Sequence, residues 1–203
     1  AVKPASSSRA RYSSRVSAPA TQPAPPSAAH TCSAPTGRPP RSRSTPTSMM
    51  GFTARFGFPV YAPRQYVTCG YQDNLGFGFN TALGVKVANP DKAVVSVSGD
   101  GGFLFGVQEL ATAVRYRIAL VTIVFNNASY GNVRRDQVER YSGRFLGAEL
   151  TNPDFVRLAE SFGALGIRVE SPAALQPALE RALAADAPVV IEVMGTPGGE
   201  SSP

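Results

Sequence analysis

Two short polar stretches hold the chemistry this chain could do. Gly99-Asp100-Gly101 follows one apolar run and Asn126-Asn127 closes the next, with 24 residues between them. Neither is needed to fill a core. One carboxylate, neighbouring carboxamide oxygens and glycine-exposed backbone, with no His or Cys nearby, suit a hard cation such as Mg²⁺. Glycines around Asp100 let the backbone approach a ligand closely. A helix starting near Phe103 would point its unpaired N–H groups and positive dipole end at the same volume. A cation beside a helix N-terminus is a receptor for a diphosphate. Taken singly, Gly-Asp-Gly is a common turn and Asn-Asn a common turn or cap; only their shared context lifts them.

That context is a set of alternating elements. The segment 92–98, KAVVSVS, and the segment 119–125, ALVTIVF, are short apolar runs with no solvent face, as in strands buried on both sides. Between them FLFGVQELATAVRY reads as one apolar-striped helix. Upstream, GYQDNLGFG (70–78) is a turn-rich loop, and FNTALGVKVAN predicts a helix at about 77–88, ended by Asn89-Pro90. Downstream, GNVRRDQVERY is helical in character. Asn152-Pro153-Asp154 opens the helix DFVRLAESFGA, with Asn152 or Thr151 as its cap. LGIRV (165–169) and VVIEVM (189–194) read as strands, with the helix AALQPALERALAA between them. Strands alternating with helices over short connections predict an α/β fold, a doubly wound parallel sheet with helices on both faces. In such a sheet ligands sit beyond the carboxyl ends of the strands. A crossover connection would therefore bring Asp100 and the two asparagines together.

Composition bounds the rest. The 203 residues carry a net charge of +6, which suggests a nucleic-acid binder until the chain is divided. Residues 1–50 hold seven of the 20 Lys and Arg and no acid, which leaves 13 bases against 14 acids in residues 51–203. A near-neutral domain has no electrostatic footprint for phosphate backbones, so no nucleic-acid partner is expected. No apolar run reaches the roughly 18 residues of a membrane span. Cys32 and Cys69 lie in different compositional regions and give no reason to infer a disulfide; reduced thiols fit a cytoplasmic location. The one histidine, His30, lies in the first fifty residues, so Ser-His-Asp chemistry and histidine metal sites are excluded downstream.

Forty of those first fifty residues are Ala, Ser, Pro, Arg or Thr. Such a segment cannot bury enough apolar area to offset its ordering entropy, and the expectation is a disordered tail over 1–50, a folded domain over 51–196 and a flexible C-terminus over 197–203. The tail is Pro-broken and lacks the apolar face of a transit peptide. Its abrupt end at Met49-Met50 also fits translation from a wrong start or frame, against which an in-frame reading through residue 1 in the upstream DNA would count.

The spacing of Gly-Asp-Gly and Asn-Asn resembles the cofactor signature of thiamine-diphosphate-dependent enzymes. GFGFNTALGVKVANPDKAVVSVSGDGGFLFGVQELATAV resembles above all the acetolactate synthase and pyruvate oxidase branch, over about residues 51–194. The resemblance implies the diphosphate-binding (PP) domain, with thiamine diphosphate and Mg²⁺ as cofactors. It gives Asp100 and Asn127 side chains and the Ser129 carbonyl as metal ligands. Backbone N–H groups of Gly101, Gly102 and the turn through Tyr130 and Gly131 would hold phosphate oxygens, with Gly99 completing the first motif. In QDNLGFG, Leu75 would be the apolar wedge that folds the cofactor into a V. The Asp73 carbonyl and the Leu75 N–H, with Asn74 between them, would clasp its aminopyrimidine ring. By itself Leu75 reads as core packing, Glu109 as a structural hydrogen-bonding residue, and Arg134-Arg135 as a solvated face or a contact for a substrate carboxylate.

The family's activating glutamate lies in a separate pyrimidine-binding (PYR) domain, and no Glu here precedes residue 109. The implied arrangement is a homo-oligomeric lyase or transferase acting on a 2-oxo acid. This chain would be its cofactor half, silent by itself, with the PYR domain supplied by missing sequence or a partner subunit. Acetolactate synthases usually carry a tryptophan shortly after the Asn-Asn loop; this chain has NVRRDQVERY there and no Trp, which puts acetolactate as product in doubt. Two other readings stand beside this one. A non-catalytic remnant or interface module would bind cofactor weakly or not at all. A dinucleotide site at Gly76-Phe77-Gly78 would leave Asn126-Asn127 without a task and has Thr81 where its third glycine should be.

Overall fold

The computed structural model describes residues 42–45, 49–70 and 74–196. Asp73, residues 1–41 and residues 197–203 lie outside the described residues, and with them most of the expected tail and the whole expected C-terminal segment. Six strands form one parallel sheet: β1 (Ser42–Thr45), β2 (Tyr66–Thr68), β3 (Val94–Gly99), β4 (Val121–Asn126), β5 (Leu165–Val169) and β6 (Val189–Met194), in the order β2-β1-β3-β4-β6-β5. β1 and the first two residues of the helix α1 (Met49–Gly57) lie inside the stretch expected to be tail, so folded structure starts earlier than the composition implied. The physical reason is that a ladder is made of backbone groups. Ser42–Thr45, poor in apolar residues, pairs on one side with β2 and on the other with β3.

Apolar side chains alternate between the two faces of the central strands, as a sheet buried on both sides requires. Val95, Val97, Val121, Ile123, Val189 and Ile191 face one way and pack with Ala178 and Ala182 of α7 (Pro172–Ala184). Val94, Val124 and Val190 face the other way, toward α2 (Phe77–Ala88), α3 (Asp100–Leu104), α4 (Leu110–Arg115) and α6 (Phe155–Phe162). On that second face Phe103 meets Phe79 edge-on at 5.2 Å and Phe155 at 5.8 Å between ring centroids. Aromatic contacts of this kind add about 0.5–1.5 kcal/mol beyond burial. One ring of α3 thereby ties together α2 and α6, the helices that open next to Leu75 and Asn152.

The expected single helix after Gly-Asp-Gly is three pieces. α3 begins at Asp100 itself, a 3₁₀ turn covers Val107–Glu109, and α4 follows. The break falls at Gly106, where a Cβ would come within 2.4 Å of the Asn80 side chain, so the backbone there is pressed against α2. The remaining strands and helices fall within two or three residues of their predicted bounds. They include α5 (Gly131–Tyr141) and the Pro-initiated α7, which Ser171 precedes. β2 ends at Thr68, well before Gly76, so the strand a dinucleotide motif needs is not adjacent to it. Among the described residues no helix is long and apolar enough to cross a membrane.

Candidate functional site

β3 and β4 lie side by side with Gly99 opposite Phe125, which sets Asp100 and Asn126 level just past the last β3–β4 pair, Asn126 still pairing with Met194 of β6. Asp100 is the first residue of α3 and is 2% exposed. One of its oxygens accepts the Gly101 N–H at 2.8 Å; the other accepts the Asn152 Nδ2 amide at 2.7 Å. The same Asn152 nitrogen donates to Asn126 Oδ1 at 2.8 Å, so one carboxamide clamps the two loop tips. Asn152 is therefore no helix cap. Asp154 takes that place, its carboxylate accepting the Arg157 N–H at 3.0 Å. A Pro at 153 separates the two residues and frees Asn152 to point into the site.

Asn127 continues the chain past β4, its Cβ beside Gly195, and no hydrogen bond among the described residues engages its amide. The backbone then turns through Ala128, which adopts a left-handed φ of 53°. Ser129 bridges antiparallel to Glu149. The bonds flanking that bridge run from the Tyr130 N–H to Ala148 and from the Leu150 N–H to Ala128, and neither uses the Ser129 carbonyl. The Tyr130 N–H is thus committed elsewhere, whereas Gly131 opens α5. Gly101 is required by close approach: a Cβ there would stand 2.4 Å from the Tyr130 ring and 3.0 Å from Leu150. Leu75 reaches the same place, its Cδ2 lying 3.7 Å from where a Gly102 Cβ would be. Gly76 follows it with φ 83°, a left-handed value that a β-carbon would strain. Leu75, Gly101, Gly102, Asp100 and the Asn126–Gly131 loop therefore converge, while Asn74 is exposed at the entrance.

Two residues that the sequence did not assign to the site complete the arrangement. Asn152 is one. The other is Glu192, buried on β6, whose Oε1 accepts the Asn126 Nδ2 amide at 2.7 Å and whose Oε2 accepts Arg168 Nη2 at 2.9 Å. An acid in an otherwise apolar strand, VVIEVM, was the available signal. Arg168 also reaches the Asp154 carboxylate at 2.8 Å. The Arg157 N–H, then the Arg168 hydrogen bond, hold that carboxyl below its ordinary value against the opposing effect of burial. Elsewhere Glu109 accepts the Thr112 hydroxyl, as a structural role requires, and Arg134 lies 3.9 Å over the Phe145 ring and 3.6 Å from Glu149.

The donor set suits a hard cation with a phosphate ligand. Asp100 is a buried carboxylate whose protein partners are neutral N–H groups, and among the described residues no ion pair engages it. Buried charge in that condition calls for a counter-ion. Asn152 Oδ1 and Ser129 Oγ are buried at the same end without a hydrogen-bond partner in the described structure. No group of three or more His, Cys, Asp or Glu side chains forms among the described residues, so any cation here would rely mainly on neutral oxygens.

Residues 47–193 match the family described as thiamine pyrophosphate enzyme, C-terminal TPP binding domain. The acetolactate synthase of Bacillus subtilis (strain 168) is 42% identical over 136 residues, covering 67% of this chain and 24% of the relative. The acetolactate synthase large subunit of Haemophilus influenzae is 42% identical over 130 residues, covering 64% of this chain and 23% of the relative. Among solved structures, the Rhodococcus jostii RHA1 thiamine diphosphate-dependent 4-hydroxybenzoylformate decarboxylase superposes with a TM-score of 0.72 at 30% identity, over 80% of this chain and 30% of that one. The chain spans about a quarter of the length of the curated relatives it matches. With the parallel sheet, the Asp100 and Asn126-Asn127 loop tips and a sequence match over most of the length all in agreement, the chain belongs to the thiamine pyrophosphate enzyme family, of which it carries the C-terminal TPP-binding domain.

Proposed function

We propose that this domain holds the diphosphate end of thiamine diphosphate through Mg²⁺, as the cofactor-binding part of an acetolactate-synthase-like enzyme acting on a 2-oxo acid. The observation that carries the reading is the buried Asp100 carboxylate, without a protein cation, beside the Asn126-Asn127 tip. Asp100 and Asn127 side chains and the Ser129 carbonyl would ligate the ion. The N–H groups of Gly102 and Gly131, and that of Gly101 once released from the Asp100 carboxylate, at the starts of α3 and α5, would take phosphate oxygens. Leu75 would press on the cofactor's centre, and Asp73 and Asn74 would meet its pyrimidine ring. When bound, thiamine diphosphate supplies a nucleophilic carbon and an electron sink for the decarboxylation of 2-oxo acids. The residues here bind and orient; Gly101, lacking a Cβ, lets its backbone lie directly against Tyr130 and Leu150.

The activating carboxylate belongs, on this reading, to a PYR domain outside this chain, the complete enzyme is a homo-oligomer, and the location is cytoplasmic. Thermal unfolding tests the assignment. Thiamine diphosphate should raise the melting temperature of this chain only with Mg²⁺ present, and Asp100→Ala should abolish the rise. No shift in the parent chain would favour a non-catalytic remnant, and 2-oxo acid decarboxylation by the purified chain alone would overturn the division of labour.

A further inference from the structure

We propose that Glu192 is a positioning residue that fixes which way the Asn126 and Asn152 amides face, and so presents an N–H to Asp100. The relay crosses four neighbouring strand ends. Arg168 on β5 donates from Nε and Nη2 to Glu192 Oε2 at 3.1 and 2.9 Å. Asn126 donates to Glu192 Oε1 at 2.7 Å, and Asn152 donates to Asn126 Oδ1 at 2.8 Å and to Asp100 Oδ2 at 2.7 Å.

Each link dictates the next because a carboxylate only accepts, a guanidinium only donates, and a carboxamide does either but with one end at a time. Glu192, satisfied by Arg168 on one oxygen, accepts on the other, so Asn126 must turn its NH₂ to it. Asn126 then shows Oδ1 to Asn152, an orientation the Ala128 N–H reinforces at 3.3 Å. Asn152 must answer with its own NH₂, which also meets Asp100. Its Oδ1 is left over, buried and without a hydrogen-bond partner in the described structure. An apolar residue at 192 would avoid the desolvation of a buried acid, so Glu192 gives specificity of orientation rather than stability.

Glu192→Gln keeps the shape and reverses the logic. Arg168 would capture the new carbonyl, and the Gln NH₂ would face the Asn126 NH₂. Either both asparagines turn over, setting Asn152 Oδ1 against the Asp100 carboxylate, or one link breaks. Arg168→Lys, by contrast, leaves the acceptor at 192 in place.

The test uses the ¹⁵N-labelled full chain without cofactor. In the parent, the Asn152 side-chain NH₂ should exchange with water about tenfold more slowly than that of exposed Asn80. Glu192→Gln should move the Asn126 and Asn152 amide signals and erase that protection, while the β6 backbone amides stay protected; Arg168→Lys should do neither. A second arm rests on the proposed function. With thiamine diphosphate held constant, Glu192→Gln should raise the Mg²⁺ dissociation constant about tenfold or more, as removal of supports behind metal ligands does elsewhere, and Arg168→Lys should leave it unchanged. Unmoved asparagine amides in Glu192→Gln, or equal changes in Arg168→Lys, would overturn the relay. Should Glu192→Gln not fold, fast exchange of the parent's Asn152 amide overturns it equally. A parent chain that binds no thiamine diphosphate sinks the proposed function, while the exchange arm still decides the relay.

Discussion

The Asn152 amide donates to the Asp100 carboxylate at 2.7 Å, joining residues 52 positions apart at the carboxyl edge of the sheet. The contact depends on a connection that leaves α5, pairs Glu149 against Ser129, and passes over the ends of β4 and β3 before α6 begins. It fixes the position of a buried charge before any ligand arrives.

Asn152→Ala follows from that contact. The substitution leaves the buried Asp100 Oδ2 without its amide donor, while Asn126 Oδ1 keeps the Ala128 N–H at 3.3 Å. A buried polar group stripped of its partner costs about 1–3 kcal/mol. Urea unfolding should show a loss of that size in the cofactor-free chain, with the slope against denaturant unchanged. Full parent stability in Asn152→Ala would mean the clamp is not formed in solution.

Much of this architecture is legible in the residues, and the exceptions have physical causes. LGIRV and VVIEVM, apolar and bounded by turn residues, form strands over the predicted residues. The Asp100 loop and the Asn126-Asn127 loop converge because the strands they follow are neighbours in a parallel sheet. β1 escaped because Ser42–Thr45 carries no apolar pattern, and its place in the sheet is set by backbone pairing with β2 and β3. The role of Asn152 escaped because Asn-Pro-Asp offers two capping residues, and only the fold decides that Asp154 caps while Asn152 crosses to Asp100. Gly166 shows a similar limit: it reads as an ordinary strand residue, yet a Cβ there would sit 2.8 Å from the Val156 carbonyl, so its smallness lets α6 lie on β5.

Asp154 makes stability depend on acid in a definite direction. Its carboxyl is held below the ordinary value of 3.8, first by the Arg157 N–H and then by Arg168. The folded chain thus binds this proton less readily than the unfolded chain. The resulting stability is fully present above pH 3.8 and is lost as pH falls through the lowered folded value. Asp154→Asn retains a capping side chain but no charge. Denaturant midpoints of this variant should fall below those of the parent near neutrality and converge with them in acid. Parallel curves at every pH would show that the Asp154 charge contributes nothing to folding.

Leu75 separates a ligand contact from a core residue. Its side chain is 38% exposed, and its Cδ2 lies 3.7 Å from where a Gly102 Cβ would be. Truncation to Ala therefore removes little buried area, and stability should fall by about 1 kcal/mol or less. If Leu75 supports the bend of a bound cofactor, that side chain becomes buried only when the cofactor is present. Covering a leucine is worth about 1.5–3 kcal/mol. Leu75→Ala should then weaken Mg²⁺-dependent binding of thiamine diphosphate about tenfold or more, measured by titration calorimetry, while the cofactor-free melting temperature barely moves. The reverse pattern, a large drop in melting temperature with unchanged affinity, would assign Leu75 to packing between the loop and α3 and leave the bend to other residues.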